Sequence, residues 1–81
     1  MTLKTEYKYI VFKKELGSWA CKNKKHGDHL GTVVYSPMWK QFVFQPRSGT
    51  EFSTDCLRDI ADFLEQLNKQ KREGTLQNEN S

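Results

Sequence analysis

Two cysteines and two histidines are the residues of this chain best suited to metal or nucleophilic chemistry. Cys21, His26 and His29 follow a C-x4-H-x2-H spacing, and Cys56 offers a fourth ligand for a tetrahedral zinc site. The closely spaced CxxC pair of most such sites is absent, and the Gly-Asp sequence between the histidines already accounts for a turn. We therefore expect both thiols to be small buried apolar groups, and we expect neither a metal nor a cofactor.

Catalytic residues are equally hard to find. Cys56 lies near the start of a predicted helix, where free backbone N–H groups activate thiolates in some enzymes, but no histidine is close to it in sequence. The acids Asp55, Asp59 and Asp62 follow one helical face and are expected to be solvated. The chain has no glycine-rich phosphate loop, HExxH motif or nucleophile elbow. We therefore predict a protein that is not an enzyme and has no small-molecule substrate.

Basic and aromatic residues are the side chains of this sequence that best indicate a function. The net charge is +3, and aromatic residues make up 12% of the sequence. Residues 7–50 carry eight lysines and arginines against two acids, whereas residues 51–72 carry four against five. A basic segment with interleaved aromatic residues is typical of surfaces that neutralise phosphates and stack on bases. Lysines also keep strand edges soluble and unpaired, so charge alone discriminates weakly.

Two binding hypotheses follow from this composition. In the first, the protein is an adaptor or inhibitor that contacts another protein or itself through aromatic and arginine anchors. The partner-binding candidates are Tyr35, Trp39, Lys40, Phe42 and Arg47. In the second, a basic sheet face binds nucleic acid. The phosphate-contact candidates are Lys13, Lys22, Lys24 and Lys25. We favour the first, because one helix cannot cover all the apolar side chains of the strands.

Four strands and one helix must position these residues. Segments rich in aromatic and β-branched residues predict the strands, which are Tyr7–Lys14, Trp19–Lys24, His29–Tyr35 and Lys40–Gln45. Within the second strand, Trp19 and Cys21 should share one face because strand side chains alternate. The short connections between strands favour an antiparallel meander in chain order.

The second half of the chain predicts one amphipathic helix from Thr54 to about Arg72. Apolar residues recur there at helical spacing: Leu57, Ile60, Leu64 and Leu67, with Cys56 and Phe63 widening the stripe. Ser53 is a suitable N-cap, since its hydroxyl can accept a free backbone N–H of the first turn. We therefore expect an α+β fold in which a four-stranded antiparallel meander is followed by one helix packed on one sheet face.

The length of 81 residues predicts a single domain. We place this domain at residues 1–72 and a flexible polar tail at residues 73–81, where apolar periodicity stops. No apolar stretch suggests a signal peptide or a membrane span, and two cysteines are too few for a secreted disulfide scaffold. We expect a cytoplasmic protein with no membrane partner.

The stretch from Leu30 to Leu67 resembles a group of small uncharacterised proteins from bacteria and their phages. The residues that carry the resemblance are LGTV at 30–33, Tyr35, Pro37, WKQF at 39–42, Phe44, Pro46, GTEFS at 49–53, CLRDI at 56–60 and FL at 63–64. The resemblance implies a phage or prophage accessory protein, and it assigns no activity and no functional residue. In architecture alone, a short meander followed by one helix is also similar to the arm-binding domains of phage integrases, which place a sheet in the DNA major groove.

Overall fold

The computed structural model describes the backbone of residues 3–79 and the side chains of residues 3–73. It contains four strands and one helix, which are β1 (Ile10–Glu15), β2 (Ser18–Asn23), β3 (His29–Ser36), β4 (Gln41–Pro46) and α1 (Thr54–Glu79). The strands form one antiparallel sheet in the order β1-β2-β3-β4. The predicted α+β meander followed by a helix is confirmed.

The register of the strands decides which side chains face α1. Phe12 pairs with Cys21, and Trp19 pairs with Val33, so these residues lie on one face of the sheet. This confirms that Trp19 and Cys21 share a face. Lys13 pairs with Ala20 on the opposite face, which α1 does not cover.

The core lies between the first of these faces and α1, and Phe63 is its centre. The rings of Phe63 and Phe12 stack with centroids 4.0 Å apart, and Trp19 meets Phe63 edge-on at 5.1 Å. Burial of a side chain such as Phe63 contributes about 2–3 kcal/mol to stability. The remaining buried members of the cluster are Tyr7, Ile10, Cys21, Val33, Ile60 and Leu67.

The face that α1 buries differs from the predicted one by part of a turn. The observed stripe runs through Cys56, Ile60, Phe63 and Leu67, whereas Leu57 is 51% exposed. The prediction that Leu57 belongs to the stripe is wrong, because the helix is turned to place Phe63 over the sheet. The N-cap is confirmed, since the hydroxyl of Ser53 accepts the Cys56 N–H at 3.2 Å.

The first strand begins at Ile10 and not at Tyr7, because the chain bends at residues 8–9 and doubles back along the outer edge of β1. The Phe12 N–H donates to the Thr5 carbonyl at 2.8 Å, and the Tyr7 N–H donates to the Ile10 carbonyl at 2.9 Å. Tyr7 is buried, with its ring edge-on to Phe12 at 5.9 Å. The N-terminal segment therefore occupies part of an edge that another strand would otherwise pair with.

Two side-chain amides of α1 hold backbone at the two edges of the sheet. Gln66 accepts the Lys4 N–H at 2.8 Å and donates to the Lys4 carbonyl at 3.0 Å. Asn68 accepts the Phe42 N–H at 2.6 Å and donates to the Phe42 carbonyl at 3.4 Å. Residues two apart in a helix lie about 200° apart around its axis, so these side chains reach in opposite directions. One therefore reaches the N-terminal segment beside β1, and the other reaches the edge strand β4.

The helix continues to Glu79, beyond the end predicted at Arg72. Gly74 is the main helix-breaking signal there, and a single glycine costs only about 1 kcal/mol relative to alanine. The flexibility of residues 73–81 stays a prediction, and Asn80 and Ser81, like Met1 and Thr2, lie outside the described residues. No helix within residues 3–79 combines the length and the apolar character needed to cross a membrane.

Candidate nucleic-acid interface

Two turns of the meander lie at one end of the sheet, which we call the turn end. They are the β1–β2 turn at residues 16–17 and the β3–β4 turn at residues 37–40. α1 starts beyond the opposite end of β4 and returns to its beginning, where Asn68 contacts Phe42. The end of the helix that follows Asn68 therefore lies next to the β3–β4 turn.

A groove of about 580 Å³ separates this turn from the helix. We call it the basic aromatic groove, and its lining residues are Tyr35, Trp39, Lys40, Gln41, Asn68, Lys71 and Arg72. Three of the seven are cations and none is an acid, so the lining attracts anions. A side hollow of about 400 Å³ shares Lys71 with the groove, adds Lys14 and also contains no acid.

Trp39 is the aromatic ring of this groove that remains open to a ligand. It is 67% exposed, whereas Tyr35 is 38% exposed. The Tyr35 ring has the Lys71 ammonium 4.5 Å from its centroid and Phe42 edge-on at 5.6 Å. Among the side chains of residues 3–73, Trp39 has no aromatic or cationic ring partner. A flat group can therefore stack on Trp39 without displacing an aromatic or cationic side chain.

The β3–β4 turn holds its residues through Ser36. The Ser36 carbonyl accepts the Lys40 N–H at 2.7 Å, and its hydroxyl accepts the Trp39 N–H at 3.3 Å. Lys40 has a φ of 56° and is the one non-glycine residue with positive φ in the described chain. A residue other than glycine in this left-handed region costs about 1–2 kcal/mol. Such strain concentrates at functional sites, and here it falls on a cation that lines the groove.

The partner-binding candidates divide between the two ends of the sheet. Tyr35, Trp39 and Lys40 line the groove, and the half-buried Phe42 lines the side hollow beside it. Arg47 follows the far end of β4, where its N–H donates to the Leu30 carbonyl at 2.9 Å. The structure therefore brings four of the five candidates together and leaves Arg47 outside the site.

The phosphate-contact candidates lie elsewhere. Lys13, Lys22 and Lys24 line a shallow hollow of about 280 Å³ together with Glu6. The Lys24 ammonium lies 2.7 Å from the Glu6 carboxylate, and this hydrogen bond and charge lower the pKa of Glu6. Lys25 lies with Lys24 and Lys8 in a different hollow at the β2–β3 turn, which also contains no acid. The four candidates therefore divide between two hollows, and Lys24, which lines both, is paired with Glu6.

Lys71 and Arg72, which complete the groove, are the functional candidates that sequence reasoning missed. It counted them only among the four basic residues of the segment 51–72. The length of the helix is the signal that could have identified these two residues. From Thr54 to Lys71, a rise of 1.5 Å per residue spans about 26 Å. The six residues of β4 span about 20 Å. A helix that returns alongside β4 therefore places these cations level with the β3–β4 turn.

The zinc hypothesis gains no support from the positions of its ligands. Cys21 is fully buried, and burial, with a smaller effect from the nearby Cys56, raises the pKa of the Cys21 thiol to about 12. His26 is exposed in a turn, and the His29 Nε2 lies 3.2 Å from the Thr32 hydroxyl. Within the described residues, no group of three or more His, Cys, Asp or Glu side chains is arranged to hold a metal ion.

No protein-family model, curated protein or solved structure matches this chain. The resemblance to small proteins of bacteria and their phages therefore stays a prediction. The geometry and charge of the site are therefore the basis for a proposed function.

Proposed function

We propose that this protein is a non-enzymatic nucleic-acid-binding module that holds the phosphate backbone in the basic aromatic groove. One observation carries the proposal: cations from the β3–β4 turn and from α1 converge on a groove whose lining contains no carboxylate. Lysine and arginine side chains neutralise phosphates and release the counterions condensed on the nucleic acid. That release supplies most of the affinity in binding that does not depend on sequence.

The groove cations are available for phosphates because they are not paired with acids. The ion pairs among the described side chains join Lys24 to Glu6 and Arg58 to Asp55. Neither pair includes a residue of the groove. The guanidinium of Arg72 has the planar donor geometry that matches a phosphate, and the ammonium groups act as point charges beside it.

The proposal is tested by measuring the binding of a labelled oligonucleotide by fluorescence anisotropy at a series of salt concentrations. Three phosphate contacts predict a slope of log K against log salt of about −2 to −3. Lys71→Ala should weaken binding to all sequences and reduce the magnitude of the slope by about 1. Lys69→Ala is the matched control, because it removes the same charge from an exposed position of α1 that does not line the groove. Absence of binding at low salt, or equal losses in the two variants, would contradict the proposal.

A second candidate function is contact with another protein, and exposed apolar side chains favour it. At the turn end, Met38, the residue before Trp39, is 85% exposed, and Leu16 of the β1–β2 turn is fully exposed. Aromatic residues, methionine and arginine are enriched in protein interfaces. An adaptor or inhibitor in a phage or prophage setting would use this surface against a partner with acidic groups.

Self-association is the form of this second candidate that can be tested without knowing a partner. Pairing through strand edges is disfavoured, because Thr5 and Asn68 already bond to backbone there. A dimer through the turn end should be detected by light scattering after size-exclusion chromatography and should dissociate in Met38→Ser. A monomer at all concentrations would rule out this form of contact.

A further inference from the structure

The exposed ring of Trp39 indicates which class of nucleic acid the groove binds. Resting on the proposed function, we infer that the groove binds a single strand rather than a duplex. One unpaired base stacks on Trp39, and the adjoining phosphates contact Lys40, Lys71 and Arg72. DNA and RNA strands share this chemistry.

The stacking step follows from the state of the aromatic rings. A base can stack only on a ring face that is free, and Tyr35 already has Lys71 over its ring. The Trp19 ring has the Lys14 ammonium 5.2 Å from its centroid and packs against Phe63. Trp39 has no such partner among the described side chains and is 67% exposed. In a duplex the faces of the bases are occupied by their neighbours, so an open tryptophan favours unpaired bases.

The size of the groove leads to the same class of ligand. Its volume of about 580 Å³ falls in the range of pockets that hold one small molecule, which is the scale of a single nucleotide. Duplex recognition in the major groove instead uses a protruding helix or a two-stranded ribbon. At this site the surface is concave, so a base must leave its stack to enter.

The path of the strand continues along the side hollow. Lys71 lines both depressions, and the side hollow adds Lys14 and Gln70 without adding an acid. Because Lys14 covers Trp19, this second position offers a phosphate contact and no second stacking face. One stacked base flanked by phosphate contacts predicts a short site, at the low end of the roughly 4–16 nucleotides that single-stranded-binding domains cover.

Trp39 fluorescence tests the inference directly. The protein is titrated at low salt with oligo(dT), with oligo(U) and with a DNA duplex of the same length. We expect both single strands to quench the tryptophan emission of the unmodified protein but not that of Trp39→Phe, in which Trp19 is the remaining tryptophan, and to bind at least about tenfold more tightly than the duplex. The tighter of the two strands identifies the preferred sugar.

Substitutions of exposed aromatic residues provide the matched controls. Trp39→Ala should weaken single-strand binding by about tenfold or more, whereas Trp39→Phe should restore part of the affinity because it keeps an aromatic face. Tyr9→Ala is the matched comparison, since Tyr9 is an exposed aromatic residue in the other basic hollow, at the β2–β3 turn, with Lys8 over its ring. Circular dichroism verifies that each variant is folded. A loss in Tyr9→Ala equal to that in Trp39→Ala would overturn the inference.

The outcomes separate the inference from the function on which it rests. Equal binding of duplex and single strands without quenching, but with loss in Lys71→Ala, would overturn the inference and leave the proposed function standing. Failure of all three nucleic acids to bind at low salt would overturn both. Binding of polyglutamate in that case would identify an acidic protein as the partner.

Discussion

Replacement of Asn68 by alanine tests how the helix is joined to the edge of the sheet. Asn68 is half-buried, and its amide bonds both the N–H and the carbonyl of Phe42. Alanine removes both bonds and leaves these backbone groups of β4 without their side-chain partner. We expect a loss of stability together with local opening at Phe42.

The magnitude follows from the two distances. An intramolecular hydrogen bond contributes about 0.5–1.5 kcal/mol, so the 2.6 Å bond contributes fully and the 3.4 Å bond contributes less. Alanine has a higher helix propensity than asparagine by about 0.5 kcal/mol, which offsets part of the loss. The net cost is about 1 kcal/mol, which for a domain of this size lowers Tm by about 4–8 °C.

Amide hydrogen exchange distinguishes this local effect from a general one. In Asn68→Ala, the Phe42 amide should exchange about fivefold faster, since 1.4 kcal/mol corresponds to one factor of ten and the net cost is about 1 kcal/mol. Lys69→Ala, at the adjacent exposed position, should change neither Tm nor the exchange of Phe42. An unchanged Phe42 exchange rate in Asn68→Ala would refute the reasoning, even if Tm fell.

Three further predictions concern other parts of the fold. Gly31→Ala should destabilise the protein by about 1–3 kcal/mol in urea unfolding, because the new Cβ would collide with the Phe44 ring and lie 2.7 Å from the Gln45 carbonyl oxygen. Burial and the Asp62 carboxylate raise the pKa of Tyr7, so its contribution to stability is present below about pH 10 and falls as the pH rises above that value. Tyr7→Phe should reduce this loss of stability at alkaline pH and should cost about 1 kcal/mol at pH 7. Unfolding curves at pH 7 and above about pH 10 measure the difference. Lys40→Asn should keep or raise Tm, because asparagine tolerates a φ of 56°, while reducing the salt slope of oligonucleotide binding by about 1.

The strands and the helix could be predicted from the sequence because each depends on local periodicity. Alternation and short turns fixed the meander, and the helical spacing of apolar residues fixed the element that covers it. The predictions were wrong where tertiary contacts decide the outcome, at the start of β1 and on the buried face of α1. Tyr7 leaves the strand because its ring fits the core beside Phe12, and Leu57 is exposed because Phe63 takes the central position.

Only the part of the candidate site whose residues are close in sequence could be predicted. Trp39 and Lys40 are neighbours in sequence, so the turn that contains them predicts that they belong to one site. Lys71 and Arg72 join them only through the direction and length of α1 alongside β4, which single-sequence patterns do not specify. Arg47 was grouped with Trp39 and Lys40 as an arginine anchor, but the six residues of β4 separate it from their turn by about 20 Å.

The distribution of unfavourable features supports assigning function to the turn end. The other positive φ values of the described chain fall on Gly17, Gly27 and Gly49, where they cost little. At Lys40 the same conformation is adopted by a residue that it strains, and the next residue back, Trp39, leaves most of a large ring in water. Glycine and a polar side chain at these positions would relieve both costs without touching the core. Both costs fall on residues that line the basic aromatic groove, and strain kept at such positions supports the proposal that this groove binds a ligand.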